Sequence, residues 1–233
     1  MRKLDVMIWG ALGAIAVGCG SGSSSGNSNG MTSGLPANGG AEYDPLSVGM
    51  SWTYQVTTAT GDVSQHPTVV EAMDSSPAAG NPSLRIRYEL PDATSLRWEQ
   101  KSGSAVVRYE DDTVDASGTT TASKVYTPSE IVLDESSQHL TAGATWVEMY
   151  SQTKSSSKSG KATQETAQWT VLSINEMVTV PAGTFTCLKV QRIHSSSSTP
   201  VPEVTWYAAG VGKVKETGAG PNNNETLELV SMP

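Results

Sequence analysis

Leu84-Arg85-Ile86-Arg87-Tyr88-Glu89-Leu90 alternates apolar and charged side chains without a fault. A period of two sends successive side chains to opposite faces of an extended chain, so this run reads as a half-buried strand. Pro91-Asp92 breaks it, and Leu96-Arg97-Trp98-Glu99-Gln100 then alternates again. Ser102-Gly103 turns the chain, and Ala105-Val106-Val107-Arg108-Tyr109-Glu110 continues the pattern. These three runs predict consecutive strands joined by hairpins, a meander.

The same period recurs on either side. Ser51–Thr58, Val69–Met73, Thr145–Ser151, Ala167–Ile174, Cys187–Ile193, Val204–Ala208 and Thr226–Val230 all read as strands. Ser129–Leu140 is the best candidate for one short helical turn, with Ser129 as its cap. Parallel strands need long crossovers that this spacing does not provide, so the pairing is antiparallel. Ten or more strands do not stay flat, and the expected fold is all-β: a curved antiparallel sheet or an open β-barrel with meander connections. Val48-Gly49-Met50-Ser51-Trp52 and Ala142-Gly143-Ala144-Thr145-Trp146 echo each other, a glycine turn and then a tryptophan three residues on, as at two similar edges of one sheet.

The chain start differs in kind. Arg2 and Lys3 precede Val6–Val17, an uncharged and mostly apolar stretch. It is shorter than the roughly 20 residues a membrane-spanning helix needs and suits a signal peptide. Ala16-Val17-Gly18-Cys19 resembles the lipobox of bacterial lipoproteins, with Ala16 where leucine is commonest. The resemblance implies that Cys19 carries acyl chains such as palmitate, and two or three chains anchor a protein firmly. Gly20 stands where an aspartate signals inner-membrane retention, which implies the outer membrane. Between residues 20 and 40, 13 of 21 are Gly or Ser, too few apolar groups to fold. As a flexible coil this stretch spans about 25 Å. The expected organisation is a lipoprotein signal peptide at 1–18, a lipidated Cys19 with its tether at 19–42, and one β-domain at 43–233.

Without residues 1–18 the chain carries 13 basic and 22 acidic residues, a net charge of −9. That balance argues against nucleic acid and against adsorption to anionic headgroups. With Cys19 acylated, Cys187 has no partner for a disulfide.

Three further segments go together: Tyr43-Asp44-Pro45-Leu46-Ser47-Val48-Gly49-Met50-Ser51-Trp52-Thr53-Tyr54, Val178-Thr179-Val180-Pro181-Ala182-Gly183-Thr184-Phe185, and Trp206-Tyr207-Ala208-Ala209-Gly210-Val211-Gly212-Lys213-Val214-Lys215. In this order they resemble a set of bacterial secreted proteins and lipoproteins labelled TapB-like. The resemblance covers most of residues 43–217, implies a β-rich fold and carries no activity with it.

No residue pattern announces a reaction. His66, His139 and His194 lie far apart, never at metal-ligand spacing. Glu110-Asp111-Asp112 lacks the interleaved ligands of a calcium loop and reads as an acidic turn. No serine sits in a Gly-x-Ser-x-Gly elbow. Cys187 falls within a predicted strand, as a buried and inert thiol does. No cofactor is expected and the chain reads as non-enzymatic. Two groups remain. Arg85, Arg87, Arg97 and Arg108, assigned to the polar face of the meander, form either a solvated ion lattice with Glu89, Glu99 and Glu110 or a patch for an anion or a protein partner. Trp52, Trp98, Trp146, Trp169 and Trp206 form either core or the lining of an apolar pocket for a lipid. The favoured reading is a lipid-anchored envelope protein that binds or scaffolds a macromolecule; the alternative is a carrier of an apolar ligand.

Overall fold

The three alternating runs form neighbouring antiparallel strands, β3 (Pro82–Glu89), β4 (Thr94–Ser102) and β5 (Ala105–Val114). They belong to a computed structural model that describes residues 42–155, 160–195, 201–219 and 224–232. The expected signal peptide, Cys19 and nearly all of the tether lie outside the described residues, as does most of the polar turn at 195–198. Before the meander come β1 (Ser51–Thr57) and β2 (Val63–Ser75). After it come β6 (Thr120–Asp134), β7 (Thr145–Ser155), β8 (Lys161–Val180), β9 (Gly183–His194), β10 (Glu203–Ala208), β11 (Gly212–Ala219) and β12 (Glu225–Ser231).

Each strand pairs with the next in the chain, all antiparallel, and β1 pairs with β12, closing a twelve-stranded barrel. The sheet is thus all-β and meander-built, and closure through Tyr54↔Leu229 and Val56↔Leu227 removes the free edges an open barrel would keep. The expected helical turn divides in two. Ser129–Asp134 is the end of β6, where Ile131 and Leu133 pair with Val107 and Val106. Only Ser136–Leu140 turns, with the Leu140 amide donating to Ser136 O at 3.0 Å. Glu110-Asp111-Asp112 is not a turn but the middle of β5, because each residue finds a ladder partner on both sides.

The echo proves to be the same local structure twice. The Gly49 amide donates to Val70 O and the Val70 amide to Met50 O. The Gly143 amide donates to Val171 O and the Val171 amide to Ala144 O. Both glycines hold a positive φ, 91° and 83°, which an L side chain resists. Strands β1 and β7, which follow them, are six positions apart around a ring of twelve.

The buried apolar side chains form two clusters. One joins Trp52, Tyr54, Val70, Ile86, Val180, Cys187 and Leu229 with Phe185 and Leu46 packed on it. The other joins Leu133, Ala167, Trp169, Val171, Leu188 and Tyr207. Burying such side chains stabilises the fold by about 1.5–3 kcal/mol each. The first described residues bind the barrel: Glu42 O accepts the Gly210 amide at 2.8 Å, and the Glu135 carboxylate accepts the amides of Tyr43 (2.9 Å) and Asp44 (3.1 Å).

Candidate functional site

The register between β3 and β4 decides what the lumen contains. Ile86 faces Arg97 and Leu84 faces Glu99, while Arg85 faces Trp98 and Arg87 faces Leu96. Cross-strand partners share a face, and Ile86 and Tyr88 line the lumen. Strand β4 therefore turns its charged residues inward and its apolar ones outward. The four arginines do not share one polar face, as alternation alone predicts. Arg85 and Arg87 are outside, paired with Glu71, Asp74 and Glu89. Arg97 and Arg108 are inside.

Strand β5 brings Arg108 inward by a bulge. Trp98 pairs with Glu110 but the next residue, Glu99, pairs with Arg108, so Tyr109 is the extra residue and the register shifts. Arg108 then reaches Glu99 at 2.8 and 2.9 Å and Glu130 at 3.2 Å. Glu130 also accepts from Arg192 at 3.1 Å and from the Tyr150 hydroxyl at 3.1 Å, and Arg192 bonds Glu203 at 2.9 Å. The result is a chain of alternating charge, Glu99–Arg108–Glu130–Arg192–Glu203, across the inside of five strands. Glu99 and Glu130 are 2% and 4% exposed, so their charges persist only because each is paired. Burial drives the Glu130 carboxyl up, but Arg192 and Arg108 outweigh it and hold it below its usual range.

The lattice also repairs the barrel wall. Strands β6 and β7 pair only from Ser123↔Ser155 to Thr127↔Ser151. Beyond that, Glu148 accepts the Ile131 amide and Arg192 donates to Ile131 O at 3.4 Å, so side chains stand in for ladder bonds. Glu148 also accepts from Trp169 Nε1 at 3.1 Å, and burial, opposed by these two donors, lifts its pKa to about 6.

The five tryptophans are not assembled into one pocket. Trp52 alone among them lines the lumen cavity, its Nε1 donating to Val211 O at 2.7 Å. Trp146 stacks between Trp169 (5.5 Å) and His139 (3.9 Å), and the Arg192 guanidinium lies 5.1 Å from the Trp169 ring. Trp206 donates to Glu176 at 2.9 Å and lies under Lys189. Trp98 shares the outer face with Arg85, yet it is 3% exposed. There the Ser76–Gly80 turn bends over it and its partner Glu110, the Ala78 amide donating to Glu110 at 2.9 Å. Cys187 is buried, and burial followed by the Glu176 charge pushes its thiol up to about 12.

Glu130, Glu148, Arg192, Glu203 and Lys213 are absent from the sequence-based candidates. The available signal was charge at core-facing positions: Trp146-x-Glu148-x-Tyr150 and Leu188-x-Val190-x-Arg192 put a charged group in register with buried or half-buried apolar ones.

Residues 109–227, half of the chain, match the model of the DUF3108-like family. The chain belongs to that family. The match runs from the bulge in β5 to β12 and so takes in most of the lattice. Two solved structures are similar over 83% of this chain and 99% of theirs. One is a protein of Bacteroides fragilis described as exported and as having a YmcC-like fold, 15% identical with a TM-score of 0.41. The other is described as a lipoprotein, from Parabacteroides distasonis, 12% identical with a TM-score of 0.43. No curated protein matches the chain.

Proposed function

We propose that this DUF3108-like protein is a lipid-anchored, non-enzymatic component of the cell envelope, carried by Cys19 at the outer membrane, whose barrel binds or scaffolds another macromolecule from its outside. The observation that carries this reading is the filled lumen. The ion lattice and side chains such as Tyr54, Ile86 and Tyr207 occupy it, and the cavity among them measures about 40 Å³. Ligand pockets are usually about 300–1,000 Å³, so an acyl chain has no room. The charged inner wall, Arg97, Glu99 and Arg108, adds a desolvation cost that an apolar cargo cannot offset. The lipobox at Ala16–Cys19, the tether and the TapB-like segments support the envelope location.

Native mass spectrometry on residues 43–233, purified without detergent, tests the reading. The expected result is the mass of the protein alone. A stoichiometric apolar molecule would instead establish the barrel as a carrier.

A further inference from the structure

The cavity left inside the barrel has the chemistry of a small binding site. It lies beneath Asp44 and Leu46, and its polar lining includes Thr68, Tyr88, Arg97, Glu99, Arg108 and Lys213. At about 40 Å³ it holds roughly three water molecules or a group of three to four heavy atoms.

Three observations point to an occupant. Thr68 is 2% exposed, lines the cavity, and its hydroxyl has no hydrogen-bond partner among the described residues. Buried hydroxyls are nearly always satisfied, because an unmade bond costs about 1–3 kcal/mol. Arg97 likewise donates no hydrogen bond among the described residues: its buried Nε is without a partner, 3.8 Å from Asp111. The other lining cations are held more closely, Arg108 by Glu99 and Glu130 and Lys213 by Glu216, whereas the ion pair of Arg97 with Asp111 is the long one at 3.8 Å. Finally, the Arg97 guanidinium carbon lies over the Tyr88 ring, 4.2 Å from its centroid, and Tyr88 is the cross-strand partner of Thr68. The ring contact holds the fork in place, and the edge that carries the unpartnered Nε–H remains for an acceptor.

A planar group with two oxygens matches that edge bidentately. We propose that the lumen cavity binds a small monocarboxylate, of formate or acetate size, on the Arg97 fork with the Thr68 hydroxyl as a further donor. The site is separate from the outer surface assigned to a macromolecular partner, and neither reading requires the other.

Asp44 sets the pH dependence. It faces Glu99 and Glu135, with Lys213 and Lys101 also near, and burial followed by the Glu99 charge lifts its pKa to about 7. Asp44 is thus a lining acid whose charge changes near neutrality. Protonating it removes a repulsion, so uptake is stronger near pH 6 than near pH 8.

The test is calorimetric titration of the full chain, purified from membranes in mild detergent, with sodium formate at constant ionic strength. One saturable site is expected, weakened about tenfold in Arg97→Gln. Thermal melting without formate checks that this variant folds. Thr68→Val, of nearly the same shape, leaves the ion pairs alone and is expected to weaken binding several-fold. Absence of saturation by formate in the unaltered chain, or equal affinity in both variants, overturns the proposal.

Discussion

Gly49 and Gly143 occupy equivalent places on opposite sides of the barrel, each donating its amide to the carbonyl of a valine, Val70 of β2 and Val171 of β8, at 2.8 Å in both cases. A Cβ at either position meets nothing within 4 Å, so φ alone resists substitution. Gly49→Ala and Gly143→Ala are each expected to cost about 1 kcal/mol. The sites share no partners, so the double variant is expected to lose the sum, within about 0.5 kcal/mol. Urea unfolding measures all three, and a double variant no worse than either single one would show the two turns to be coupled.

The inward and outward arginines separate sharply in stability. Arg87 is on the outside with its side chain 44% exposed, and Arg87→Ala is expected to cost about 0–1 kcal/mol. Arg108→Ala leaves Glu99 and Glu130 buried with fewer cations, at a cost of about 3–5 kcal/mol. Denaturant midpoints for the two variants check the contrast, and similar losses would place Arg108 outside the lattice.

Stability is expected to peak in mildly acid solution. Asp44 and Glu148 have folded-state pKa values of about 7 and about 6, above their unfolded values. Between the unfolded and folded values the folded chain holds the extra proton, so stability falls as pH rises from about 4 to 7. Glu130 works oppositely: its folded value is depressed, and its contribution is lost as pH falls below the usual glutamate range. Melting temperatures across this range check both limbs. Asp44→Asn is expected to flatten the upper limb, and an unchanged upper limb would remove Asp44 from the account.

On the proposed reading Cys19 carries the lipid, and Cys19→Ser removes the thiol that lipidation requires. Incorporation of labelled palmitate is expected to vanish, and the chain to leave the membrane fraction. Persistent labelling would place the lipid elsewhere.

Local pattern determined a large part of this protein. The alternation in Leu84–Leu90 and its counterparts specified strands, because period two has one extended-chain solution. Short turn-rich connections specified antiparallel meanders. Gly49 and Gly143, read as an echo, marked two equivalent turns, since a positive φ at glycine is a local property.

What the chain start and composition could not supply was which face of each strand points inward. Alternation states that Leu96 and Arg97 lie on opposite sides, not which side is the lumen; the register Ile86↔Arg97 decides that, and a shift of one residue inverts every side chain. The bulge at Tyr109 then turns Arg108 inward, and its burial is tolerable because Glu99 on the neighbouring strand and Glu130, farther off in sequence, both pair with it. The tryptophans scatter for the same reason, Trp98 outward beneath the Ser76–Gly80 turn and Trp52 inward at the cavity. Closure too was tertiary, because the pairing of β1 with β12 joins segments at opposite ends of the domain and no local signal encodes it.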